Sequence, residues 1–248
     1  MRNIVVVSHR RSGTHLTIDM IRNNFSCIDR DYIDLDKIEA GNKGFFENKN
    51  PGIFKTHSHA DYKKFFKHAQ CIQLLENAKI IYVYRDGRDV MTSLFYYMKS
   101  YDKLLKDITF KDFVSMENRF ECDTYDAIKN RMEFWAFHVN SWMNSDKEIL
   151  FLSYEEIKTD YFYVLKKVSS FLNIPVNDTP TDVRLAKRNM LGLFLQRLCK
   201  KIFCIQTKHT AINFRTGISE DWKKFFDADL LRKFNVSTSC LLRDLNYE

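Results

Sequence analysis

Three segments of this 248-residue chain carry anion-binding residue types at the spacing a phosphate site needs. The first is Ser8-His9-Arg10-Arg11-Ser12-Gly13-Thr14-His15. Gly13 permits a tight turn, the N–H groups that open the next helix can face an anion, and Ser12 and Thr14 add hydroxyl donors. The segment lacks the Gly-x4-Gly-Lys-Ser/Thr spacing of a Walker A loop. An alternative reading makes Ser12 a helix N-cap and leaves the arginines solvated. The second segment runs from Tyr82 to Ser93. Arg85 ends a strand there, and Ser93 lies eight residues on, about two helical turns later. A planar guanidinium and a hydroxyl on one side can clamp a phosphate. The alternative is a surface salt-bridge cluster of Asp86, Arg88 and Asp89 that caps the helix. In the third segment, Arg215, Thr216 and Gly217 precede a helix that Ser219 is expected to cap, again compatible with an anion.

Strands and helices must bring these segments together. Ile4 to Val7 is a short, wholly apolar run, as in a strand buried on both faces of a parallel sheet. Gly52 to Lys55, Lys79 to Tyr84 and Glu148 to Leu152 are further strand candidates. Helical stretches Leu16 to Phe25, Val90 to Met98 and Tyr154 to Leu172 follow three of the four. This alternation predicts an α/β fold, a three-layer sandwich around a mostly parallel sheet. Ser100 to Ser145 and most of Thr181 to Phe203 read as helix-rich additions. Ligands of open α/β sheets lie off the carboxyl ends of the strands, and all four loops there carry polar or basic residues. No linker or repeat divides the chain, so residues 1–248 are expected to form one domain.

Composition narrows the field. Seven Gly and three Pro exclude collagen-like and low-complexity chains, and 39 basic against 32 acidic residues leave a charge of +7. That excess favours an anionic partner without choosing it. The six cysteines form no Cys-x-x-Cys pair, which suits free thiols in a reducing compartment. The apolar run after Met1-Arg2-Asn3 is too short for a signal sequence, and no uncharged stretch approaches a membrane span. A cytoplasmic protein without a membrane span, monomer or homodimer, is expected.

Taken in order along nearly the whole chain, the segments resemble the sulfotransferases that use 3′-phosphoadenosine 5′-phosphosulfate (PAPS). Arg11-Ser12-Gly13-Thr14 resembles the family's 5′-phosphosulfate loop, with His15 beside it. Arg85 and Ser93 match its 3′-phosphate pair. Arg215-x-Gly217 with Asp221-Trp222 resembles its C-terminal motif, with Thr216 where a lysine is common. Lys55-Thr56-His57 resembles the element that supplies a lysine for the sulfuryl group and a catalytic base. Tyr154 resembles a tyrosine near the adenine, and Leu16 stands where the family often has an adenine-stacking tryptophan. The resemblance implies a P-loop-like fold and PAPS as donor, with 3′-phosphoadenosine 5′-phosphate (PAP, 3′,5′-ADP) as product. No metal and no nucleic acid are expected, and the many aromatic residues in Asp29 to Pro51, Ser58 to Gln70, Ser100 to Arg131 and Val183 to Asn213 suit a small organic acceptor.

The implied roles suit the chemistry. A sulfuryl group carries less charge than a phosphoryl group and needs fixed cations, here Arg11 and Lys55. His57 suits a general base near neutral pH. His59 is expected at solvent or the acceptor. Trp135, His138 and Trp142, at i, i+3 and i+7, read as a core stripe. The basic stretch from Arg184 to Lys208 fits a lid, an acidic-acceptor site, a membrane-surface face or a solvated face. Two rival functions stay open: a P-loop kinase and a non-catalytic polyanion-binding module.

Overall fold

The computed structural model describes residues 2–28, 31–39, 52–100, 102–116, 128–184, 219–238 and 241–248. Five parallel strands form its centre: β1 (Ile4–Val7), β2 (Tyr32–Asp34), β3 (Ile53–Thr56), β4 (Lys79–Tyr84) and β5 (Ile149–Ser153), in the order β2-β3-β1-β4-β5. Every residue of β1 is buried, as its uninterrupted β-branched run requires of a central strand. Its register sets Val7 beside Thr56 on one side and Tyr82 on the other, so the carboxyl ends of β1, β3 and β4 align.

The period of two along β1 sorts its side chains between two cores. Ile4 and Val6 pack with α1 (Thr14–Asn24), α8 (Tyr154–Thr159) and α9 (Tyr161–Leu172). Val5 and Val7 face α2 (Leu35–Glu39), α4 (Ala69–Asn77), α5 (Gly87–Lys99) and α7 (Arg131–Met143). The same core takes up α6 (Phe110–Ser115), α10 (Ala228–Thr238) and α11 (Leu241–Asp244), while α3 (Tyr62–Phe65) contributes Tyr62. Each wholly buried Val, Ile or Phe contributes about 1.5–3 kcal/mol of hydrophobic free energy before chain entropy is set against it. This is the three-layer α/β sandwich expected from the alternation of strands and helices.

Position, more than stability, matters for function. β1 and β4 are neighbours, yet α1 leaves β1 toward one face and α5 leaves β4 toward the other. Such a reversal opens a crevice at the strand ends, the topological switch point where ligands of open sheets bind. Gly87 lets α5 start close beneath its neighbours, since a Cβ there would lie 2.6 Å from the Trp135 ring and 2.7 Å from Phe234.

Several local expectations are corrected. The three-residue β2 adds a fifth strand, too short to show a period. Within Ser100 to Ser145 the described residues form a 3-10 turn at Lys103–Leu105, α6 and α7, with non-helical segments between them, while 101 and 117–127 lie outside the described residues. Tyr154 to Leu172 breaks at Asp160, whose carboxylate accepts from the Tyr163 N–H and caps the second helix. Of the expected helix-rich stretch Thr181 to Phe203, residues 181–184 are not helical and 185–203 lie outside the described residues. Trp135, His138 and Trp142 are fully buried, so that stripe is core.

Candidate functional site

The loop after β1 bends through two left-handed residues, Arg11 at φ 71° and Gly13 at φ 110°. Left-handed backbone is easy for glycine and uncommon for arginine, so surrounding contacts must hold Arg11 there. Two are present. Arg11 Nε donates to Ser93 Oγ at 3.1 Å, and its guanidinium lies 4.7 Å over the Tyr97 ring, both on α5. Gly13, not Ser12, is the N-cap of α1, and among the described residues no side chain caps that end. No acidic residue occupies the first turn, so the positive end of the helix keeps its field. Thr14 shares a 2.6 Å hydrogen bond with the Ser8 hydroxyl. Ser12 Oγ is buried and has no hydrogen-bond partner among the described residues. A buried hydroxyl so placed is normally satisfied, and at an uncapped helix start an anion would satisfy it.

Arg85 follows β4 in the same crevice. Its guanidinium lies 4.3 Å over the Tyr154 ring, and Nη2 is 3.4 Å from Asp89 Oδ2. The Tyr154 ring in turn fills the space over Gly13, where a Cβ would meet Cδ2 at 2.7 Å. Tyr154 thus braces the first loop against Arg85, and burial pushes its hydroxyl pKa up.

The acidic neighbours of Arg85 organise the backbone. Asp86 caps α5 through the Arg88 N–H at 2.9 Å and binds the Arg88 guanidinium at 3.0 and 2.7 Å. This cluster is buried, not on the surface. Asp89 accepts the backbone N–H groups of Glu220 at 2.8 Å and Trp222 at 3.0 Å. The expected Ser219-capped helix is instead a 3-10 turn, Asp221–Lys224, held by Asp89. Arg88 covers the Trp222 ring at 4.0 Å. The chain that follows Arg215, Thr216 and Gly217 is therefore anchored to α5 four residues after Arg85. Those three lie outside the described residues.

His57 completes the constellation at the end of β3. Its Nδ1 is 2.8 Å from the Ser8 carbonyl oxygen, which only accepts, so Nδ1 carries the proton and Nε2 keeps a lone pair. Burial, then the positive charge of Lys55, holds the His57 pKa well below the usual histidine value. A neutral ring of fixed tautomer is what a general base requires. Behind it, His138 Nε2 donates to the His57 carbonyl at 3.0 Å while Nδ1 accepts from Tyr82 Oη at 2.9 Å. Trp142 Nε1 donates to the Ser58 carbonyl at 3.0 Å, so α7 fixes the backbone on which His57 sits. Of the other histidines, His15 meets the Tyr32 ring at 5.7 Å. His59 is buried against Phe65 and Phe137 rather than set at solvent.

Two carboxylates escaped the sequence reading. Asp34 Oδ2 accepts the Lys55 ammonium at 2.9 Å. Asp36 accepts the Thr56 hydroxyl at 2.6 Å and the His57 N–H at 3.1 Å, and burial raises its pKa. Nothing in Tyr32-Ile33-Asp34-Leu35-Asp36 signals this, because the pairing depends on β2 lying beside β3. Among the described residues no group of three or more His, Cys, Asp or Glu side chains is arranged to hold a metal ion, and no helix is long and apolar enough to cross a membrane.

The chain is similar to known proteins. Cytosolic sulfotransferase 3 of Arabidopsis thaliana is 24% identical over 262 residues, covering 98% of this chain and 77% of that one. The structure of mouse sulfotransferase SULT7A1 complexed with PAP superposes with a TM-score of 0.65 at 25% identity, over 98% of this chain and 85% of that one. Retinol dehydratase in complex with androsterone and inactive cofactor PAP shares the fold, with a TM-score of 0.64 at 19% identity over 98% and 82% of the two chains. The sulfotransferase domain model matches residues 1–245, and this chain belongs to that family.

Proposed function

We propose that the chain, acting as one domain over residues 1–248, transfers a sulfuryl group from PAPS to a hydroxyl or amine of a small organic acceptor in the cytoplasm, without a metal. The observation that carries this reading is the hydrogen bond between Arg11 and Ser93. It joins the two expected anion subsites, 82 residues apart in sequence, at the switch point of the sheet. The buried, unpartnered Ser12 hydroxyl fits the 5′ end of the nucleotide.

When bound, PAPS supplies an activated sulfuryl group whose leaving oxygen gathers negative charge. The residues of this chain do the rest. Ser12, Thr14 and the N–H groups opening α1 hold the 5′ end, with His15 beside them. Arg11 and Lys55 place cationic donors where charge develops. Arg85, Ser93 and Arg215 would grip the 3′-phosphate, together with Thr216 and Gly217. Tyr154 keeps Arg85 and the first loop in register, near where the adenine would bind. His57 Nε2 takes the acceptor proton, since Nδ1 is committed to Ser8.

A screen of alcohols, phenols, amines and saccharides with PAPS, read by release of 3′,5′-ADP, tests the proposal. Turnover with at least one class supports it. A chain that prefers ATP over 3′,5′-ADP, or binds long polyanions while ignoring 3′,5′-ADP, contradicts it.

A further inference from the structure

The short segment Asp34-Leu35-Asp36 touches each residue of the Lys55-Thr56-His57 element in turn. Asp34 pairs with Lys55, and Asp36 binds the Thr56 hydroxyl and the His57 N–H. Asp34 and Lys55 are register partners across β2 and β3, so their side chains share one face at the carboxyl ends of the strands. Their side chains are only 13% and 8% exposed.

As a device for stability the Asp34–Lys55 pair is poor. Burying two charges sacrifices hydration that their attraction scarcely recovers unless every remaining lone pair is satisfied. Here Asp34 Oδ1 is buried and has no hydrogen-bond partner among the described residues. Lys37, the other ammonium nearby, is 3.7 Å from Asp34 Oδ2 and largely exposed. What the pair does achieve is a fixed direction for a flexible four-carbon side chain.

We infer that Asp34 and Asp36 are positioning residues of the transfer site, Asp34 aiming the Lys55 ammonium and Asp36 holding the backbone of His57. The inference rests on the sulfuryl-transfer reading, in which Lys55 and His57 act on the reacting atoms. Each carboxylate acts through the residue it binds, which separates the aim of the catalytic groups from the grip on the nucleotide made by β1, β4 and α5.

Asp34→Asn is expected to lower kcat about 30-fold while acceptor KM and the Kd for 3′,5′-ADP stay within about twofold. Asp34→Glu should recover most of that loss, and Asp34→Asn combined with Lys55→Met should be no worse than Lys55→Met alone. Asp36→Ala should likewise lower kcat and spare 3′,5′-ADP binding. A second reading needs no turnover. In the unaltered chain the Lys55 Nζ–H nitrogen NMR correlation should stand apart from the solvated lysines, and it should join them in Asp34→Asn. A kcat within about threefold of the unaltered chain in Asp34→Asn, or equal losses in Asp34→Asn and Asp34→Glu, overturns the inference. So does a Lys55 resonance already among the solvated lysines before any substitution, whether or not the variants fold. Failure of the unaltered chain to bind 3′,5′-ADP would instead overturn the sulfuryl-transfer reading itself.

Discussion

Arg11 Nε donates to Ser93 Oγ at 3.1 Å, tying the loop after β1 to the second turn of α5. Two segments that leave the sheet toward opposite faces are thereby joined at one point, so an anion held by either loop bears on the other. Arg11 adopts its left-handed backbone within this contact.

His57→Ala should keep binding 3′,5′-ADP and lose at least ~100-fold in turnover, the usual share of general base catalysis. Calorimetry and initial rates on one preparation check both halves. Near-normal turnover would take the base role from His57.

The pH dependence of stability follows from two histidines. His57 and His138 are held well below the ordinary histidine value, mainly by burial, so the unfolded chain binds their protons first. Their contribution is complete above the unfolded value of about 6.5 and is lost as pH falls below it. Asp36, Asp89 and Glu155, raised by burial, act in the opposite sense toward lower pH. Denaturant unfolding at pH 7.0, 6.0 and 5.5 should show falling stability. His138→Gln should flatten that slope, and an unchanged slope would refute the assignment.

Arg85→Ala should weaken 3′,5′-ADP binding by about 10- to 100-fold, the value of charge-assisted hydrogen bonds to a phosphate. Ser93→Ala should cost less, about fivefold, because a neutral hydroxyl is lost. Arg215→Ala should resemble Arg85→Ala. Calorimetric affinities for either arginine variant that match the unaltered chain would break the clamp.

Gly13→Ala places a methyl 2.7 Å from Tyr154 Cδ2 on a backbone that alanine resists. A loss of about 1–3 kcal/mol in stability is expected, together with weaker nucleotide binding. Adding Tyr154→Ala removes the clash but not the backbone strain, so recovery of stability should be partial. Full recovery would show that φ at residue 13 is unimportant.

The sequence revealed the elements that obey strong local rules. Ile4 to Val7 and Ile80 to Tyr84 are apolar runs that only a doubly covered sheet accommodates, and two of the three expected segments meet where Arg11 reaches Ser93. It did not reveal β2, because three half-buried residues carry no periodicity. Asp34 and Asp36 were hidden for the same reason: their importance lies in a neighbouring strand about twenty residues ahead. The Asp86, Arg88 and Asp89 cluster was legible but misplaced, since charged residues read as surface until their partners are seen. Within it the carboxylates organise the backbone, and the Arg85 guanidinium lies over the Tyr154 ring.

The most direct measurement of the central claim is calorimetric titration of the unaltered chain with 3′,5′-ADP and with 5′-AMP. A dedicated 3′-phosphate grip formed by Arg85, Ser93 and Arg215 predicts that 3′,5′-ADP binds at least about tenfold more tightly. Equal affinities for the two nucleotides would contradict it.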